Sequence, residues 1–162
     1  MTKATAYDDT RITAFGLFAE VYTGLMARFA SHLEEHRLSV TEFEVLLRLL
    51  RSPEHRLRMT ELAGQVALTT SGITRVVDRL ERNRLVTRVA CPEDRRGLWA
   101  QLTESGVARV TAALPDHLKL IEQYFTGRFT PEELAMLITR LREIRDEVNP
   151  SAAPGNDPAP AG

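Results

Sequence analysis

The chain has 162 residues, 43% hydrophobic and 27% charged, with a formal net charge of −1; this is the composition of one folded domain and excludes a disordered, fibrous or collagen-like protein. No apolar run approaches the ~18 residues of a membrane helix, the first residues lack the hydrophobic stretch of a secretory signal, and a single cysteine excludes a disulfide framework or a cysteine-rich zinc site, so the expected location is the cytoplasm. Charge is unevenly spread: residues 41–102 hold eleven arginines against eight acids, a net +3, and the remainder carries −4, which points to a basic surface in the middle of the chain.

From the start, residues 1–9 show no apolar periodicity and are expected to be flexible. Over 10–40, Phe15, Leu17, Phe18, Val21, Tyr22, Leu25, Met26, Phe29 and Leu33 recur at helical spacing. That stripe is longer and more apolar than a surface helix of so small a domain needs, so part of it is expected to face a second subunit. His32-Leu-Glu-Glu-His36 puts two histidines on one helix face and matches a zinc-peptidase pattern. With no third ligand in view, its expected role is a polar helix C-terminus, where the dipole favours histidine, and no metal is expected. Thr41-Glu-Phe-Glu44 reads as a capping box opening a helix that ends near Arg51. Ser52-Pro53 stops that helix, and 54–58 read as a polar loop with solvated Arg56 and Arg58.

From Thr60 to Leu102 the pattern changes. Leu62, Ala63 and Val66, then Ile73, Val76, Val77 and Leu80, mark two short amphipathic helices separated by a tight turn, a helix-turn-helix. Thr69 is the expected N-cap of the second helix, with Leu68 and Ile73 as a hydrophobic staple. Its outer face carries Thr70, Ser71, Gly72, Thr74, Arg75, Asp78 and Arg79. Small hydroxyls and a glycine at the leading end permit close approach to a phosphate backbone, and Arg75 is long enough to reach a guanine edge in a major groove. Leu85–Ala90 and Leu98–Leu102 read as two strands joined through Cys91-Pro-Glu-Asp-Arg-Arg-Gly97, a β-hairpin wing whose Arg95 and Arg96 suit a narrow minor groove. Asp94 is expected to hold one of these arginines and aim the other. Cys91 reads as a small half-buried residue at a strand end.

Past the wing, Thr103 and then Thr130-Pro-Glu-Glu133 open two further helices across 103–149, and Pro115 should kink the first of them. Residues 150–162, rich in Pro, Ala and Gly, read as a disordered tail. No phosphate loop or catalytic triad spacing is present, so no catalytic residue and no cofactor is expected.

The order Leu62-Ala63, Thr74-Arg-Val-Val-Asp-Arg-Leu-Glu81, Leu85-Val86, Asp94-Arg-Arg96 and Leu102-Thr-Glu-Ser-Gly106 resembles the MarR family of winged helix-turn-helix transcription regulators. The one departure is Arg84, where the family usually has glycine; either it takes a left-handed conformation under strain or Asn83 does so instead. The resemblance implies a mainly α fold with a small β-hairpin wing: a winged DNA-binding domain at 41–102 and dimerisation helices from both termini, at 10–40 and 103–149. It also implies a homodimeric regulator, a repressor, on a pseudo-palindromic double-stranded operator. A small aromatic or phenolic effector would bind among Phe18, Tyr22, Met26, His36, Phe43 and Leu47. The competing reading is a winged protein-interaction module without specific DNA binding.

Overall fold

The computed structural model describes residues 6–92 and 94–152, the side chains of residues 6, 95 and 96 excepted. Six α-helices and one small sheet make up these residues, with short 3₁₀ turns between them. The helices are α1 (Thr10–Glu35), α2 (Val40–Leu50), α3 (Met59–Gln65), α4 (Thr70–Arg82), α5 (Glu104–Tyr124) and α6 (Pro131–Val148). The strands are β1 (Arg56–Arg58), β2 (Val86–Cys91) and β3 (Asp94–Leu102), antiparallel in the order β1-β3-β2. No helix among the described residues is long and apolar enough to cross a membrane.

Side-chain chemistry at the helix ends explains most of the boundaries. Asp9, Ser39, Thr69, Thr103 and Thr130 each accept a backbone N–H from the first turn of the helix they precede, satisfying donors that have no partner within the helix. The capping box of α2 is Ser39 with Glu42, not Thr41 with Glu44: Ser39 N–H donates to Glu42 Oε2 (2.9 Å) and Glu42 N–H to Ser39 Oγ (3.1 Å). The end of α1 decides between them. Leu38 N–H donates to the Leu33 carbonyl and Arg37 N–H to that of Glu34, which closes α1 at Leu38 and leaves Ser39 as the first extended residue.

The same closure recurs at α3 and α4, where Leu68 N–H reaches the Ala63 carbonyl and Leu85 N–H that of Leu80. It requires a left-handed residue each time, and none of the three is glycine: Arg37 has φ 56°, Ala67 53° and Arg84 59°. Arg84, not Asn83, therefore absorbs the turn after α4, and Asn83 keeps φ −84°.

One core joins α1, α2, the helix-turn-helix, the sheet and the start of α5. Leu33, Val45, Leu46, Leu49, Leu62, Ile73, Val77, Leu80, Leu85, Val86 and Val110 are fully buried in it. Gly106 shows why the motif after the wing ends in glycine: a Cβ there would lie 2.0 Å from the Leu85 carbonyl oxygen. Thr103 reinforces this joint, its N–H donating to the Leu85 carbonyl and its hydroxyl to that of Arg84, so α5 starts directly on the end of α4.

α5 continues through Pro115; Thr111, whose carbonyl loses its helical partner there, is exposed to water. Two expectations are corrected. Residues 54–58 are not all loop, because Leu57 is buried and Arg56–Arg58 add a third strand to the wing. Pro150–Ala152 form a 3₁₀ turn with Ala152 buried and Ser151 against Gly64, so the tail cannot start before residue 153; residues 153–162, with 1–5, lie outside the described set.

Candidate nucleic-acid interface

The leading end of α4 is built as expected from its cap. Thr69 Oγ1 accepts from Gly72 N–H (3.1 Å) and lies 3.2 Å from Ser71 Oγ, while Leu68 packs against the core that holds Ile73. With Ile73, Val76, Val77 and Leu80 buried, Thr70, Ser71, Thr74, Arg75 and Arg79 remain exposed and Gly72 is half-buried. The face is therefore set by the amphipathic period, and its N-terminal turn offers free N–H groups to an anion. Two of its members are also engaged internally: Thr74 Oγ1 donates to the Thr70 carbonyl (2.8 Å), and Arg79 Nε donates to Glu42 Oε1 (3.0 Å) on α2. Burial disfavours the charge on Glu42, but the Ser39 N–H and Arg79 outweigh it and hold that carboxyl below the usual carboxylate range.

The wing is longer than the sequence suggests. β2 and β3 pair from Val86↔Leu102 to Ala90↔Leu98, and the register then shifts so that Cys91 faces Asp94; residues 95–97 thus form an irregularity on β3, as bulges do where a strand is re-aimed. A Cβ on Gly97 would stand 2.9 Å from Asp94 Oδ2, so glycine here leaves room for the carboxylate. Asp94 Oδ2 lies 3.8 Å from Arg58 Nη1 on β1, a neighbour the sequence reading did not foresee. Arg58 and Arg56 both lie over Trp99, at 5.5 and 4.9 Å from the ring centre. Arg95 and Arg96 belong to β3 by backbone, and their side chains are outside the described set.

Arg88 on β2 ties wing to helix. Its Nη1 donates to Glu81 Oε2 and its Nη2 to Asp78 Oδ1 (2.6 Å) and to the Thr74 carbonyl (3.3 Å). Its backbone N–H donates to Glu81 Oε1 (3.0 Å). Burial opposes its charge, yet the two carboxylates hold its pKa above the ordinary value. Between helix and wing lies a cleft of about 490 Å³ lined by Thr70, Thr74, Asp78, Arg88, Gly97 and Leu98, among others.

A recognition-type helix beside a β-hairpin is the arrangement found in known relatives. The sequence signature of the MarR family matches residues 38–98. The HTH-type transcriptional regulator MhqR of Bacillus subtilis (strain 168) is 31% identical over 130 residues, 80% of this chain and 88% of that protein. The chain belongs to the MarR family. The HTH-type transcriptional repressor YetL of the same organism is 32% identical over 124 residues, 74% of each chain. The crystal structure of Sco3205, a MarR family transcriptional regulator from Streptomyces coelicolor in complex with DNA, superposes with a TM-score of 0.80 at 30% identity, covering 94% of this chain and 96% of that one. This MarR chain is accordingly a transcriptional regulator and not an enzyme.

The residues expected to form an effector pocket do not share one environment in the protomer. Phe43 is buried, Met26, His36 and Leu47 are half-buried, and Phe18 and Tyr22 are more than half exposed on α1. His36 lines an open groove of about 480 Å³ between α1 and α5, and Arg109 Nη1 donates to its carbonyl (3.0 Å). His32 stands 5.1 Å from His36 and 5.8 Å from His117, ring centre to ring centre. Among the described residues no group of three or more His, Cys, Asp or Glu is placed to hold a metal. Cys91 is buried rather than half-buried; it is the last residue of β2 and pairs with Asp94. Sequence reading missed Arg88 and the β1 arginines. No local signal singles out Arg88: Arg75 and Arg82 lie three and four residues from Asp78 on the same helix, so helical spacing alone would pair the acid with them.

Proposed function

We propose that this MarR protein acts as a homodimeric repressor on a pseudo-palindromic double-stranded DNA operator, released by a small aromatic or phenolic effector. The observation that carries the DNA reading is the exposed, capped face of α4, with Thr70, Ser71, Gly72, Thr74 and Arg75 on it, in a chain similar along nearly its whole length to a regulator solved on DNA. The hydroxyls and free N–H groups of its first turn take backbone phosphates, Arg75 reads a base edge, and Arg79 adds charge beside its bond to Glu42. Arg95 and Arg96 enter the neighbouring minor groove, with Asp94 setting the base of the wing tip.

Dimerisation is supported by apolar faces that the protomer leaves in water. Phe15, Phe18 and Tyr22 on α1, Leu118 on α5, and Met136, Ile144 and Val148 on α6 are all exposed, a surface far beyond scattered single residues. Two-fold symmetry would set the recognition helices about 34 Å apart, one turn of the duplex. Repression is supported by the similarity to YetL. The effector would sit where α1, α2 and α5 meet, near Met26, His36, Phe43 and Leu47; Phe18 and Tyr22 join it only if the second copy covers them. Release requires the effector to prefer a dimer geometry that DNA does not.

Selection of duplexes from a random pool, followed by binding titrations of Arg75→Ala, tests this reading. The selected sites should be inverted repeats, and the variant should lose about 1 to 3 kcal/mol of discrimination at one base position per half-site. Equal discrimination by parent and variant removes Arg75 as a base reader, and non-repetitive sites remove the symmetric operator.

A further inference from the structure

We propose that Arg88 is a positioning residue that fixes the recognition helix against the wing, and so governs how well the protein tells its operator from other DNA. This rests on the reading of α4 and the wing as the DNA-contacting pair.

One guanidinium reaches Thr74, Asp78 and Glu81, which lie on successive turns along one side of α4. A planar fork with fixed donor directions holds two carboxylates and a carbonyl in one relative geometry, as a flexible ammonium would not. The backbone N–H of the same residue is bound to Glu81, so the strand itself, and not only a side chain, is pinned to the helix. The Arg88 side chain is only 19% exposed, which suits a brace better than a phosphate contact. On another side of α4, Arg79 ties the helix to α2 through Glu42. The helix is thus braced twice, to the body of the domain by Arg79 and to the wing by Arg88.

The consequence for recognition follows from the range of the forces. A hydrogen bond to a base edge survives only within a few tenths of an ångström of about 2.9 Å, whereas attraction to phosphate decays over a Debye length of about 8 to 10 Å. A small loss of register between helix and wing therefore removes base readout while leaving most non-specific attraction in place. Charge alone does not account for the arrangement: Arg88 meets two acids, so the cluster stays net negative on a helix that approaches phosphate.

The experiment compares the full-length parent with Arg88→Gln, Arg88→Lys and the triple variant Asp78→Asn/Glu81→Gln/Arg88→Gln. Each is titrated over a salt series against a duplex selected by the parent from a random pool and against a scrambled duplex of the same composition. Arg88→Gln should lose about tenfold or more on the selected duplex and less than about threefold on the scrambled one, with the salt slope on the scrambled duplex unchanged. Arg88→Lys should recover only part of the loss, and the triple variant none of it. If Arg88→Gln does not fold, the folded Arg88→Lys variant reads the same ratio. Three results overturn the proposal: an undiminished ratio of specific to non-specific binding, a salt slope lower by about one on both duplexes, which marks a direct phosphate contact, or full recovery in the triple variant, which marks simple neutralisation. Failure of the parent to enrich any duplex would overturn the DNA reading and this proposal together.

Discussion

The winged domain and the helical arms are made of similarly apolar sequence and are buried very differently. In the winged domain Leu46, Leu49, Leu62, Ile73, Val77, Leu80 and Leu85 are sealed within a single protomer. α6 has no buried residue at all, and the 26-residue α1 buries only Phe29 and Leu33 near its C-terminal end. Phe15 and Val148 are each 73% exposed. Burial of a large apolar side chain contributes about 1.5 to 3 kcal/mol, so the winged domain is stabilised within the protomer, whereas the arms, on the dimer proposed above, hold theirs in reserve for a second copy. On that proposal two energies separate, one of folding and one of association, and substitutions on either side should respond differently to protein concentration.

The largest effect belongs to the sealed side. Leu80→Ala empties a fully buried position of the core and should cost about 2 to 5 kcal/mol, the same at every protein concentration, in denaturant unfolding. On the arm side, Phe15→Glu with Ile144→Glu should leave the far-ultraviolet helix signal nearly intact while weakening association by about a hundredfold, or about 2.7 kcal/mol, in sedimentation equilibrium. A double variant as dimeric as the parent would mean that these faces are not the interface.

A third substitution sharpens the picture of the joint between the regions. Arg84 holds φ 59°, and its carbonyl accepts from Thr103 at the start of α5 (2.7 Å). Arg84→Gly keeps that bond and removes the steric cost of a left-handed side chain, offset by greater freedom in the unfolded chain. The net gain should be about 0.5 to 1 kcal/mol, read as a rise in the denaturation midpoint; a fall would show that the arginine side chain contributes more than its backbone strain removes.

How far the sequence reveals this architecture depends on the range of the interactions involved. The cap at Thr69, the α4 face and the capping box at Thr130 and Glu133 are settled by neighbours within one or two turns, and they stand where spacing puts them. The choice between Ser39 and Thr41 was not legible, because both satisfy the same local pattern and the decision comes from how α1 ends at Leu38. β1 was hidden for a different reason: three residues cannot show a period, and their pairing with Trp99–Gln101 spans some forty residues of chain. Among the site residues, the exposed hydroxyls and Arg75 follow from amphipathic period alone. Arg79 looks identical to Arg75 in sequence, and only the fold shows that Glu42 occupies its Nε. The brace at Arg88 required knowing that the first wing strand lies along the acids of α4.

The smallest expected effect lies at the seam where the arms meet the winged domain. His117 on α5 is 8% exposed, packed between Phe29 of α1 and Phe43 of α2 at 4.5 and 4.6 Å, and its buried Nδ1 has no hydrogen-bond partner among the described residues. Burial, with a smaller contribution from nearby His32, lowers its pKa below the ordinary 6.5. The folded state thus prefers the neutral ring, while the unfolded chain takes up a proton as the pH falls through 6.5. The sign follows: stability from this site is complete above that value and declines as the pH drops toward the lower folded pKa. His117→Leu removes the titrating group and the unpaired nitrogen while keeping an apolar side chain between the two phenylalanines. Denaturant midpoints measured at about pH 7.5 and about pH 5.5 should therefore fall less for the variant than for the parent. Equal declines would assign the pH dependence in this window to another group, and not to Glu42, whose lowered pKa preserves its pairing with Arg79 until more acidic pH.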